Sequence, residues 1–368
     1  MGVSLIASIT ASFLLCLLAM LALRPVAVAL KLIDRPGGRK IHGGEVPVVG
    51  GIAMLLGIVL GLGLVPQPEI DFGPFLAASA LLVTVGLLDD RFELSPWTRL
   101  AVHIAAAALL VGASGASITT LGAFADGTPI PLEGLGSQAV AVLAIAASIN
   151  AFNMLDGMDG LAGTASVVAL SALAFLAFDA GAVLVATTAL IVLGAVAAFL
   201  IANVPARFNR DLRCFMGDSG STLLGFTVAW LCIVVSQPPL QAASPITLLW
   251  VVALPLFDFA WTIVRRLLRG TSLVKADDQH LHHVLLKAGF RMRTAFAIFV
   301  VLSALLAAIG ITIERLGLPD LTSALLLAGT GALVVRLMLQ AGRLRAWLPG
   351  SPESARLTES EDGRGADI

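Results

Sequence analysis

The chain has 368 residues, 58% of them hydrophobic and only 13% charged, with a formal net charge of −1. Soluble domains carry about a quarter charged residues, so a soluble globular enzyme is excluded. Long uncharged runs near the ~20 residues that span a bilayer, without the short alternating segments of a transmembrane barrel, predict an all-α polytopic membrane protein.

Taken in order, the apolar runs predict about eleven transmembrane helices, over 3–23, 48–66, 72–88, 97–114, 137–155, 160–178, 182–203, 219–236, 244–264, 294–313 and 321–340. The first run is longer than a signal-peptide core and is followed by Arg24, so it reads as an uncleaved span. An odd number places the two ends on opposite sides. All lysines and arginines except Arg315 and Arg336 fall in loops on the side of the C-terminus. That asymmetry predicts an outside N-terminus and a cytoplasmic C-terminus. Cys16, Cys214 and Cys232 imply no disulfide framework. Between the fourth and fifth runs, Asp126-Gly127-Thr128 is a turn signal for a small hairpin. Residues 1–350 read as one membrane domain and 351–368 as a polar, disordered cytoplasmic tail.

Five inner loops hold nearly all the unusual polar residues. The first contains Arg39-Lys40-Ile41-His42, then Pro47 and Gly50-Gly51. Basic residues among glycines suit phosphate, although such a cluster also serves merely to set topology. The second ends a span with Asp89-Asp90-Arg91. Magnesium is typically held by one or two carboxylates together with substrate phosphates, and an aspartate helix terminus is the plainer alternative. The third runs from Asn150 to Gly160. Asn150 and Asn153 share a helix face, and Asp156 and Asp159 bracket Gly157 and Met158. The fourth is Cys214-Phe215-Met216-Gly217-Asp218-Ser219-Gly220-Ser221, leading straight into a span. Backbone amides at that helix start suit an anion. Asp218 would repel a phosphate unless a cation bridged them, and otherwise it only caps the helix. The fifth follows Asp258, Arg265 and Arg266 and reads Gln279-His280-Leu281-His282-His283. Three histidines suggest zinc, but no suitable fourth ligand stands nearby, and phosphate or sugar contact is the better reading. His103, inside a span, reads as a satisfied buried histidine. Acidic metal sites and basic phosphate sites on one face of a membrane body call for a phosphorylated, Mg²⁺-bound soluble substrate and a lipid acceptor.

With these motifs in this order, the chain resembles the polyprenyl-phosphate N-acetylhexosamine-1-phosphate transferases over essentially its whole membrane body. Arg265-Arg266-Leu267-Leu268-Arg269-Gly270 and His280-Leu281-His282-His283 place it nearest the branch that uses undecaprenyl phosphate and N-acetylglucosamine 1-phosphate. The histidine pattern is unlike the three consecutive histidines of the branch that takes UDP-muramyl-pentapeptide.

The resemblance implies transfer from UDP-N-acetylglucosamine to undecaprenyl phosphate with release of UMP, and Mg²⁺ as cofactor with Mn²⁺ as a substitute. It implies catalytic roles for Asp89, Asp90, Asp156 and Asp218, with metal ligation by Asp218 and Asp90. Asp89 would lie near the lipid phosphate. Asn153 and Asp156 would approach the ribose or diphosphate. Asp159, Gly157 and Phe215 would recognise uracil, with Asn203 joining that pocket. Lys40, His42, Arg265, His280, His282 and His283 would contact the sugar and phosphates. The setting is the bacterial inner membrane with the active site facing the cytoplasm. Membrane lipid is a partner, nucleic acid is not, and a homodimer is compatible. A different UDP-N-acetylhexosamine or wall polymer is the close alternative, and an anion or metal transporter is the one from another class.

Overall fold

A chain that buries itself in hydrocarbon must satisfy every backbone amide internally, which favours helices wherever the run is long and apolar. The computed structural model describes residues 2–34, 46–66, 70–124, 127–204, 213–272 and 280–347. Thirteen helices and four short strands fill them. Helices α1 (Gly2–Ala29), α2 (Gly50–Gly63), α3 (Gly73–Phe92), α4 (Pro96–Ser114) and α5 (Gly134–Leu155) form the first half. Helices α6 (Leu161–Asp179), α7 (Val183–Asn203) and α8 (Gly217–Ser236) follow. Then come α9 (Pro245–Val251), α10 (Ala253–Leu268), α11 (Leu281–Lys287), α12 (Met292–Arg315) and α13 (Asp320–Trp347). The strands are β1 (Ile33–Asp34), β2 (Val46–Pro47), β3 (Thr120–Phe124) and β4 (Thr128–Pro131).

Among the described residues, eight helices are long and apolar enough to cross a membrane: α1, α4 to α8, α12 and α13. The expected straight span over 244–264 is instead a bent pair, α9 and α10, meeting at 85°. Pro255 accounts for the break. It has no amide hydrogen, and its ring collides with the carbonyl four residues back, that of Val251, where α9 ends. The polar tail from 351 lies outside the described residues.

Helix α8 is the axis of the bundle: 89% of its apolar window is buried, against 6% for α13. It packs against α2, α3, α5 and α6. Phe75 of α3 stacks on Trp230 at 4.3 Å and on Phe226 at 5.7 Å, which fixes α3 against α8. The Ser148 hydroxyl of α5 donates to the Gly225 carbonyl of α8 at 2.9 Å. The hairpin signalled at Asp126-Gly127-Thr128 forms as antiparallel β3–β4. Its start is held by Gln237, at the end of α8, whose Oε1 accepts the Thr119 amide at 2.8 Å. At the other end of α8 the described parts of the five polar loops gather.

Candidate active site

Each loop is tied to the next by contacts that the chain's small and polar residues permit. Arg91 Nε donates to the Leu30 carbonyl at 3.1 Å, joining the second loop to the first. The end of the first loop pairs with the fourth: Phe215 donates its amide to Pro47, and Gly50 donates to Phe215, both at 2.9 Å. Asn203 joins the third loop to the fourth. Its Oδ1 accepts the Gly160 amide at 2.5 Å and its Nδ2 donates to the Cys214 carbonyl at 3.0 Å. Asn203 is buried and spends its amide on the chain itself. The ring of His282 lies over Gly157, where an added Cβ would meet its Cε1 at 2.6 Å. The fifth loop is thereby set against the third.

The carboxylates meet where α3, α4, α5 and α8 come together. Asp89, on the last turn of α3, is 6% exposed. Its Oδ1 accepts the Leu94 amide at 2.7 Å and its Oδ2 accepts Arg99 Nη1 at 3.2 Å. Asp90 Oδ1 accepts the Asp218 amide at 3.0 Å. That carboxylate sits at the start of α8, the end of a helix that favours negative charge. Its other oxygen, Oδ2, is buried and has no hydrogen-bond partner among the described residues. Asp218 Oδ1 accepts from Asn153 Nδ2 at 2.7 Å, and Asn153 also reaches the Ser221 hydroxyl at 3.0 Å. Asp218 Oδ2 lies 3.4 Å from Arg99 Nη1. A cavity of about 10 Å³ is lined here by Asp89, Arg99, His103, Asn153, Asp218 and Thr222, among others. His103 is indeed buried and partnered, its Nδ1 3.3 Å from Asn150 Nδ2.

The third loop carries the nearby nucleoside-side candidates. Asp156 ends α5. Burial pushes its carboxyl well above the usual carboxylate range, and the charges of Asp218, Asp90 and Asp159 add to the rise. Asp159 pairs with Arg213 at 2.9 Å, and the same guanidinium lies over the Phe215 ring at 5.5 Å. Asp159 and Phe215 are thus brought to one place by Arg213.

In the fifth region, Asp258 organises the histidines. Its Oδ2 is 2.9 Å from His280 Nδ1 and its Oδ1 accepts the Leu281 amide at 2.6 Å. Arg265 is buried, with its guanidinium over the Trp261 ring at 5.6 Å. His282 and His283 lie 4.1 Å apart, centre to centre. Both ring nitrogens of His282 are buried without hydrogen-bond partners among the described residues. Burial, with His283 adding, holds the His282 imidazole down at about 3. It therefore stays neutral near pH 7 and can present either an N–H donor or a lone pair to a ligand. The unfolded chain takes up a proton near 6.5 and the folded one does not, so acid favours unfolding. Lowering the pH from 7.5 to 5.5 should cost about 1.4 kcal/mol at this residue. Thermal unfolding of His282→Gln should lose that part of the acid sensitivity. An identical pH dependence in both proteins would show that His282 is not held neutral.

Among the described residues, no group of three or more His, Cys, Asp or Glu side chains is arranged to hold a metal ion by itself. The donor set nevertheless fits a hard cation that takes one or two carboxylates and completes its shell with phosphate and water. Asp218 and Asp90 supply oxygens, and Asp90 Oδ2 is a buried acceptor with nothing to accept. Lys40 and His42 lie outside the described residues. Arg99, Asp258 and Arg213 were not singled out from the sequence as site residues. Arg99 and Arg213 are common charged residues at a helix start and in a loop, Asp258 lies within α10, and only the fold shows which group each one faces.

The chain is similar to known proteins along most of its length. A family model described as glycosyl transferase family 4 matches residues 73–236. An undecaprenyl-phosphate alpha-N-acetylglucosaminyl 1-phosphate transferase of Yersinia pestis is 36% identical over 304 residues, 83% of each chain. Proteins of the same description from Escherichia coli strain K12 and Haemophilus influenzae are each 34% identical. The first covers 82% of both chains, the second 83% of this chain and 85% of its own.

Proposed function

We infer the function from the family: this chain belongs to the undecaprenyl-phosphate alpha-N-acetylglucosaminyl 1-phosphate transferases, within glycosyl transferase family 4. It is a phosphoglycosyl transferase that moves N-acetylglucosamine 1-phosphate onto undecaprenyl phosphate. We propose that the donor is UDP-N-acetylglucosamine, that UMP leaves, and that the lipid-linked pyrophosphate sugar initiates a cell-envelope polysaccharide. The observation that carries this reading is the meeting of Asp89, Asp90, Asn153 and Asp218 at one end of an apolar bundle.

The acceptor is already a phosphate oxyanion, so the reaction needs little base catalysis. Its obstacle is bringing two anionic groups together, and positioning with charge neutralisation supplies most of the remedy. In this reading Asp218 and Asp90 hold Mg²⁺, which when bound neutralises the donor diphosphate. Asp89 orients the acceptor phosphate, with Arg99 close enough to offset its charge. Asn153 fixes Asp218. Asp156, the backbone at Gly157, Asp159 and Phe215 form the nucleoside side. His280, His282, His283 and Arg265 would face the sugar phosphate, and Lys40 and His42 are assigned to the same group by the resemblance alone.

We also propose eleven crossings: the eight long apolar helices, the bent α9–α10 pair, α2 and α3. The N-terminus then lies outside, and the catalytic loops and C-terminus lie in the cytoplasm. The arginines and lysines of the loop ends support that orientation.

Purified protein given labelled UDP-N-acetylglucosamine and undecaprenyl phosphate with Mg²⁺ should release UMP and form labelled lipid. EDTA should reduce that rate to background and added Mg²⁺ should restore it. Full activity in EDTA would remove the metal. Preference for UDP-N-acetylgalactosamine would replace the sugar but keep the reaction.

A further inference from the structure

Arg99 stands at an unfavourable end of its helix. Ser95 caps α4, its hydroxyl accepting the Thr98 amide at 3.1 Å, and Pro96 opens the first turn. A cation just beyond that cap meets the positive end of the helix dipole. What holds it there is a pair of carboxylates from two other helices. Nη1 lies 3.2 Å from Asp89 Oδ2 and 3.4 Å from Asp218 Oδ2. Each carboxylate has its other oxygen engaged elsewhere, Asp89 by the Leu94 amide and Asp218 by Asn153. Their remaining oxygens therefore converge on one point, and one guanidinium nitrogen fills it.

The space beside that point is a cavity of about 10 Å³, room for roughly one water. The Asp218 oxygen that a divalent cation would take is the one Arg99 already faces. The exposures show which partner gives way. The Asp89 side chain is 5% exposed, whereas Arg99 and Asp218 are 35% and 31% exposed. Asp89 is fixed, and Arg99 has a solvent-side path.

We propose that Arg99 is a positioning residue that holds Asp218 ready and competes with the divalent cation for it. The guanidinium occupies the shared point until the cation takes Asp218, and then turns outward to the incoming phosphate. The proposal rests on the metal reading above and assigns Arg99 control over how tightly the metal binds.

The test is a Mn²⁺ titration of the purified full chain at pH 8, without donor or acceptor, read by electron paramagnetic resonance. Arg99→Met should bind Mn²⁺ roughly tenfold tighter than the unaltered chain. That figure is the close charge interaction discounted for its partial exposure. Arg99→Lys, whose compact ammonium cannot bridge both carboxylates, should gain less. Adding Asp218→Asn to Arg99→Met should remove the gain. A purely structural role would weaken Mn²⁺ binding or leave it unchanged, and either result overturns the proposal. So does a gain that survives Asp218→Asn, or an absence of Mn²⁺ binding in all variants. If Arg99→Met fails to fold by thermal unfolding, Arg99→Lys carries the test, and no gain there overturns it. The transferase reading fails separately, on absence of UMP release by the unaltered chain with any divalent metal.

Discussion

Asp218→Asn should lower UMP release roughly a thousandfold while leaving the fold intact. The substitution is close to isosteric. The amide oxygen can still accept from Asn153, which now donates to Asp218 Oδ1 at 2.7 Å. The Asp218 amide, which donates to Asp90 Oδ1, belongs to the backbone and is unchanged. What disappears is one negative charge among three carboxylates that share a small, partly buried site. Losing a ligand to a cation that stabilises transferring phosphate forfeits several kcal/mol of transition-state stabilisation, and each 1.36 kcal/mol is a factor of ten. The thermal midpoint should hold or rise, because the remaining carboxylates repel one another less. Turnover within a few-fold of normal would remove Asp218 from the metal. Asp159→Asn makes the contrast. Its carboxylate pairs with Arg213 on what we propose is the nucleoside side, so its effect should fall mainly on the KM for the donor.

The sequence made the helices and the five polar loops legible because each rests on local signals. Uninterrupted apolar runs mark spans, and Asp, Asn, Gly and His at their ends stand out against a hydrocarbon background. What stayed hidden depends on distant partners. Arg99 looked like any basic residue that sets topology, and its meaning lies in carboxylates 10 and 119 positions away. The family resemblance alone places Asn203 beside the uracil pocket, and its structural part is not readable from the sequence. The fold gives its amide two backbone partners, which tie the third loop to the fourth. The run over 244–264 was long and apolar enough to read as straight. Pro255 breaks it, and a hydropathy window averages that proline away. Asp258 was passed over as a residue before the histidines, yet it is the group that fixes His280 and the start of α11.

Gly86→Ala should cost the enzyme roughly a hundredfold in kcat, although it alters neither charge nor any side-chain ligand. Gly86 lies one turn before Asp89 and Asp90 on α3 and faces the first turn of α8. A Cβ there would press into Ser219 Cα, stand 2.5 Å from the Ser219 nitrogen and 3.0 Å from the Asp218 carbonyl carbon. All three are backbone atoms, so no side chain can rotate out of the way. Carbon contacts settle at about 3.5–4.0 Å, so α3 and α8 must part by on the order of 1 Å. That separates Asp89 and Asp90 from Asp218, the group they act with in the proposed mechanism. A displacement of about 1 Å at reacting groups can cost a factor of about 100. The overpacking itself should cost about 1–3 kcal/mol in stability, readable as a lowered unfolding midpoint in detergent. Gly112→Ala in α4 is the matched control. Nothing lies within 4 Å of its added Cβ, so it should leave kcat unchanged and match or improve stability, as alanine favours a helix interior by about 0.5–1 kcal/mol. Normal turnover in Gly86→Ala would mean that the close approach of α3 to α8 packs the bundle without setting the carboxylate geometry. A loss confined to Gly86 would tie the spacing of two helices directly to the spacing of Asp89, Asp90 and Asp218.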